Sequence, residues 1–202
     1  MPVVEAGEPL AKARAAMILL HGRGATAADI MTVAAELIHP GFAYLAPQAE
    51  GNAWYPHPFT APLEQNEPYL SAALAVIENL LAKVEATIPA QRVILLGFSQ
   101  GACLTLEFAA RHARRYGGVV GLSGGLIGPS DTLRDYPGDF SGTPVFLGCS
   151  DIDPHIPKER VLETAEVFKR MGAKVTMRLY PGMGHTVSQE EIESVRELVE
   201  TL

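Results

Sequence analysis

Gly97-Phe98-Ser99-Gln100-Gly101 stands between two segments of opposite character. Before it, Arg92-Val93-Ile94-Leu95-Leu96 is a short apolar, β-branched run that reads as a buried strand. After it, Ala102-Cys103-Leu104-Thr105-Leu106-Glu107-Phe108-Ala109-Ala110 reads as a helix free of Gly and Pro. Gly-x-Ser-x-Gly between a strand and a helix is the setting of a nucleophile elbow. The sharp turn strains the Ser backbone, and a side chain two residues to either side would strike the adjoining strand or helix. The Ser99 hydroxyl is then held clear above a helix N-terminus, where free N–H groups and the dipole favour developing negative charge. The competing reading is a plain glycine-rich turn, and the rest of the chain must decide between the two.

A Ser nucleophile needs a base to take its proton and a carboxylate to orient that base. Both belong at the carboxyl ends of strands, in the chain order Ser, acid, His. The chain has six His. His21, His39 and His57 precede Ser99, and His112 lies in the following helix among Arg111, Arg114 and Arg115. Of the remaining pair, His155 and His185, the latter closes Pro181-Gly182-Met183-Gly184-His185, between a strand ending at Tyr180 and a helix opened by the capping box Ser188-Gln189-Glu190-Glu191. A His in such a loop is badly placed for core packing and well placed for a base. Asp151 and Asp153 both follow a strand through Leu147. Pro154 biases Asp153 toward an extended conformation, whereas Asp151 can cap or turn its loop. The residues alone leave both open. As a cation site the Asp-x-Asp pair lacks further oxygen ligands at a suitable spacing.

Strands and helices alternate along the chain. Strands are expected at 15–20, 42–45, 92–96, 118–122, 145–147 and 174–180. Helices are expected near 27–38, from Tyr69 to Thr87 with Pro68 in its first turn, after Ser99, over 158–171 and after Ser188. Long irregular stretches occupy 47–66 and 123–142. The strands are continuous apolar runs, as in a parallel sheet covered on both faces. The expected fold class is α/β, a mostly parallel central sheet with helices on both sides.

Composition narrows the function. Hydrophobic residues at 48% permit a sizeable core, and 16 Lys and Arg against 23 Asp and Glu give a net charge of −7. That balance argues against nucleic acid or an anionic membrane as the main partner. No apolar run approaches the roughly 18–20 residues of a membrane span, and the N-terminus has no basic-then-apolar leader. Cys103 and Cys149 form no CxxC pair and read as buried thiols in a reducing compartment. A single domain over 1–202, cytoplasmic, is the expectation.

Leu20-His21-Gly22-Arg23-Gly24, Gly97-Phe98-Ser99-Gln100-Gly101, Asp153-Pro154-His155-Ile156-Pro157 and Gly184-His185, in that order, resemble the phospholipase/carboxylesterase family of α/β-hydrolases. The resemblance runs from about residue 15 nearly to the C-terminus. It implies an α/β-hydrolase fold without a large cap domain and selects Asp153 as the triad acid beside Ser99 and His185. It also assigns the oxyanion hole to the backbone N–H groups of Gln100, the residue after the nucleophile, and Arg23, in the His-Gly loop. Arg23 stands where the family often has an apolar residue and Ala25 where Asp is common, so the pocket departs from the pattern. The Arg23 side chain could face an anionic leaving group or water.

Trp54, Tyr55, Gly124 and His21 are the expected substrate-side residues, all near strand carboxyl ends. His21 reads as ordering its loop rather than as a second base. Trp54 and Tyr55 are equally compatible with an apolar wall and with sealing the sheet edge. The expected function is a serine carboxylesterase acting on small to medium acyl or aryl esters, with thioesterase or lysophospholipase activity as the overlapping alternative. An acyltransferase using the same triad and a non-catalytic binding module on this fold are the remaining readings. A small-molecule ester or thioester is the expected partner, no cofactor or metal is called for, and the resemblance allows a homodimer.

Overall fold

Along Ala15-Ala16-Met17-Ile18-Leu19-Leu20 every side chain is buried, yet successive residues serve different cores. Ala16, Ile18 and Leu20 join one apolar cluster, and Ala15, Met17 and Leu19 join the other. This is the period-2 alternation of a strand with both faces covered. The computed structural model describes residues 1–202.

Seven strands form one sheet: β1 (Val3–Gly7), β2 (Ala15–Leu20), β3 (Phe42–Pro47), β4 (Val93–Phe98), β5 (Gly118–Leu122), β6 (Pro144–Ser150) and β7 (Lys174–Tyr180). Their order is β1-β3-β2-β4-β5-β6-β7. Only β1 runs antiparallel, against β3, and every other pairing is parallel. The helices are α1 (Ala27–Ala35), α2 (Leu63–Asn66), α3 (Tyr69–Glu85), α4 (Gln100–Arg111), α5 (Lys158–Arg170) and α6 (Gln189–Glu200). Apolar residues of α3, α4 and α5 pack on the Ile18/Leu95 face, and those of α1 and α6 on the Met17/Ile94 face. No cap domain interrupts the sheet. No helix is long and apolar enough to cross a membrane.

Several expectations shift in detail. β1 carries almost wholly exposed residues, so its sequence shows no apolar run, and its pairing with β3 alone makes it a strand. Pro47 ends β3 instead of excluding itself from it, because it pairs at the rim of the sheet with Val3. α1 stops at Ala35, not Ile38, and Ile38 is exposed. Pro68 caps α3 from outside, and a turn of helix, α2, breaks the long 47–66 loop.

Because β2 to β7 are parallel, their carboxyl ends share one rim. The residues that leave this rim are His21, Ser99, Ser123, Asp151 to Asp153 and the loop to His185. Ligand chemistry in open α/β sheets gathers at that rim.

Candidate active site

Ser99 sits between β4 and α4 at φ 55° and ψ −120°, a left-handed conformation costly for any residue with a Cβ. The turn is tight enough that only glycines fit beside it. A Cβ on Gly97 would collide with the Gly101 backbone, and one on Gly101 with the carbonyls of Leu20 and His21. The Ser99 N–H donates to Leu122 O at 2.9 Å and ties the elbow to β5.

His185 Nε2 lies 2.8 Å from Ser99 Oγ, and its Nδ1 lies 2.7 Å from Asp153 Oδ2. The three side chains are 32 and 86 residues apart in sequence and form one hydrogen-bonded chain. An ionised Asp153 accepts from Nδ1–H, which leaves Nε2 free to accept from the Ser99 hydroxyl. The imidazole is fixed on both sides, 5.1 Å from the Phe98 ring and 4.8 Å, edge to face, from the His155 ring. Its loop is docked onto the end of β6: Gly182 N–H donates to Asp151 Oδ1 at 2.8 Å, and Gly184 N–H to Ser150 Oγ at 3.2 Å. The two acids thus divide the work. Asp153 meets the imidazole, and Asp151 holds the loop that carries it.

The Asp153 side chain is fully buried. Burial alone raises its pKa, but the His185 imidazole and the backbone N–H groups of His155 (2.8 Å) and Ile156 (3.0 Å) outweigh it and hold the carboxyl below its usual range. Beneath it, burial and the nearby Asp153 carboxylate push the Cys149 thiol up to about 12. Neither cysteine is paired, and burial likewise pushes Cys103 up to about 12.

The loop after β2 passes against the elbow, where a Cβ on Gly22 would lie 3.3 Å from Ser99 Cβ. The next backbone N–H, that of Arg23, and the Gln100 N–H at the start of α4 both lack a hydrogen-bond partner within the protein. His21 is completely buried, its ring centre 5.0 Å from that of Trp54 and tilted by 34°. Its Nδ1 faces Gly22 O at 2.8 Å, and its Nε2 accepts from Ala49 N–H at 3.1 Å. Burial lowers its pKa despite the Gly22 carbonyl and Asp29. A neutral His21 therefore pins the loop.

A cavity of about 500 Å³ opens over Ser99 and is walled by Tyr55, Pro56, Pro58, Phe59 and Ile156, with Cys103 and Gln100 below and Arg23, His155 and His185 at its sides. Of the expected substrate-side residues, Tyr55 lines it and Trp54, His21 and Gly124 do not. Trp54 is turned inward because its indole N–H donates to His21 O at 2.8 Å. Gly124 is packed under α4, where a Cβ would overlap Ala102. All three are buried behind the residues that line the cavity. The Arg23 side chain, exposed at the side of the cavity, donates from its guanidinium to the Tyr55, Pro56 and His57 carbonyls. His155 and Ile156 escaped sequence reasoning as wall residues. Their place between Pro154 and Pro157 was the only local sign.

A model described as Phospholipase/Carboxylesterase matches residues 1–202. The crystal structure of a phospholipase/carboxylesterase from Dyadobacter fermentans superposes with a TM-score of 0.94 at 45% identity, covering 98% of this chain and 95% of that one. Acyl-protein thioesterase 1 of Gibberella zeae is 36% identical over 121 residues, 58% of this chain and 51% of its own. Its counterpart in Candida albicans is 33% identical over 119 residues, 57% of this chain and 52% of its own. The chain thus spans about half the length of the curated relatives it matches. Arabidopsis thaliana SOBER1 L63A, at 20% identity and a TM-score of 0.78, shares the fold. With the sheet, the elbow and a match that runs from end to end, the chain belongs to the phospholipase/carboxylesterase family of α/β-hydrolases.

Proposed function

We propose that the protein is a serine carboxylesterase that cleaves esters of small to medium acyl or aryl groups through an acyl-enzyme, with residues 1–202 acting as one domain. The observation that carries this reading is the unbroken Ser99–His185–Asp153 chain beside two unpartnered N–H groups. Ser99 Oγ attacks the carbonyl carbon while its proton passes to His185 Nε2. Asp153 keeps Nδ1 protonated and stabilises the imidazolium. The carbonyl oxygen, now an anion, accepts from the Arg23 and Gln100 N–H groups, each worth about 2.7–4 kcal/mol in such a site. Collapse breaks the bond to the leaving alkoxide, which takes the proton from Nε2. Water then repeats the sequence on the acyl-enzyme, returning Ser99 and releasing the acid.

The apolar rings of Tyr55, Pro56, Pro58 and Phe59 suit an acyl or aryl group. Thioesters enter the same pathway with a thiolate leaving group, and the likeness to acyl-protein thioesterases favours them as a second substrate class. Two buried, unpaired thiols suit a reducing compartment, and we place the protein in the cytoplasm. Hydrolysis of p-nitrophenyl esters from acetate to dodecanoate, alongside acyl thioesters, tests the reading. Turnover falling off toward the longest chains is expected. An absence of turnover on every ester and thioester would overturn it.

A further inference from the structure

Tyr55, Pro56, Pro58 and Phe59 form one wall of the cavity, and the segment that carries them, Trp54 to Phe59, belongs to no helix or strand. Two prolines remove N–H groups, so the segment cannot join a ladder and its carbonyls need donors from elsewhere. Side chains supply most of them. Arg23 Nη1 donates to Pro56 O at 2.8 Å, and Nη2 to Tyr55 O at 2.8 Å and His57 O at 2.9 Å. The Gln100 amide accepts from Trp54 N–H at 2.9 Å and donates to Tyr55 O at 2.8 Å. Asn66 accepts from His57 N–H at 2.8 Å and donates to Pro58 O at 3.2 Å. Gly128 N–H donates to Phe59 O at 2.7 Å, and the Arg160 guanidinium stands 5.5 Å from the Phe59 ring centre.

Arg23 forms no ion pair, and both its Nη atoms are committed to three neutral carbonyls. Arg23 and Gln100 are also the residues whose backbone N–H groups stand free beside Ser99. We propose that the Arg23 side chain is a positioning group that locks the acyl wall to the oxyanion hole and thereby sets acyl selectivity. This rests on the carboxylesterase reading above. An acyl group pressing on Tyr55, Pro56 or Phe59 acts, through the guanidinium, on the backbone that holds the developing oxyanion. A misfit acyl group therefore costs kcat as well as KM. A planar fork with five donors can serve three carbonyls at once, whereas the Lys ammonium is a point donor without that geometry.

The test compares wild type, Arg23→Ala and Arg23→Lys on p-nitrophenyl acetate, butyrate and octanoate. Pro56 and His57 are exposed, so water can replace the lost donors and the fold survives. The expected result is a kcat loss of roughly tenfold to a hundredfold on the short esters, from donors displaced by a fraction of an ångström. The butyrate-to-octanoate ratio of kcat/KM should fall in both variants, and millimolar guanidinium should restore part of it in Arg23→Ala. The sole Trp, Trp54, supplies a readout independent of turnover. Acrylamide quenching of its emission should rise in both variants. An unchanged chain-length ratio with unchanged quenching would overturn the proposal. If wild type neither turns over esters nor labels with a fluorophosphonate, the carboxylesterase reading fails, and the quenching comparison still decides whether Arg23 locks the wall.

Discussion

Asp153→Asn distinguishes a working triad from a chance alignment, and the structure fixes how the new side chain must sit. Asp153 Oδ1 accepts from two backbone donors, His155 N–H at 2.8 Å and Ile156 N–H at 3.0 Å. An Asn oxygen is held there, because turning the amide round would point its NH2 at two N–H groups. The amide nitrogen then occupies the Oδ2 position, 2.7 Å from His185 Nδ1, and donates to it. That forces the proton onto Nε2, the atom that must accept from Ser99. The imidazole stays in place in the wrong tautomer, an error that costs kcat about 10⁴-fold where the same chain of groups operates. Asp151→Asn is the control. Its oxygen can still accept from Gly182 N–H, so a loss below about tenfold is expected. Steady-state kcat on p-nitrophenyl acetate, with thermal unfolding to check the fold, measures both. Asp153→Asn within tenfold of wild type, or Asp151→Asn falling as far, would refute the reasoning.

Gly101→Ala places a methyl on the Leu20 and His21 carbonyls, so it should cost about 1–3 kcal/mol by chemical denaturation and lower kcat by displacing the oxyanion loop. A variant of unchanged stability would contradict that close approach. Burial pushes the Cys149 thiol up to about 12 and keeps it out of reach of the solvent. Cys149 should not react with a disulfide reagent in the native protein and should react in denaturant; fast native labelling of Cys149 would contradict the packing. Burial raises the Glu191 pKa against its hydrogen bonds with Ser188, and Oε1 has no partner. With the folded value raised, its contribution to stability is full below the ordinary value of 4.5 and is lost as pH rises through the folded value. Glu191→Gln keeps an acceptor for Ser188 N–H and removes that titration, so its urea midpoint should gain on wild type as pH rises; parallel curves would contradict it.

Local chemistry made some parts legible and left others hidden. β5 and β7 match their expected bounds because Gly117, Leu122, Lys174 and Tyr180 border abrupt changes in pattern, and Ser188 with Glu191 announces α6. The elbow could be read because two steric demands and a strand-to-helix transition coincide within five residues. Asp153 could not be separated from Asp151 by local residues, since both serve the same rim and the difference is which atom faces His185. Trp54 was ambiguous because its burial depends on His21 O, 33 residues away, and the Arg23 clamp joins residues 32 to 34 apart without any local mark. β1 was hidden because a rim strand with exposed side chains is defined by its partner.

The most direct measurement is mass spectrometry of wild type and Ser99→Ala after a fluorophosphonate, paired with ester turnover by each. Ser99 lies 2.8 Å from His185 Nε2, so one adduct per wild-type chain on Ser99 is expected, with neither adduct nor turnover in Ser99→Ala. Retained turnover in Ser99→Ala, or an adduct on another residue, would contradict the nucleophile and the mechanism built on it.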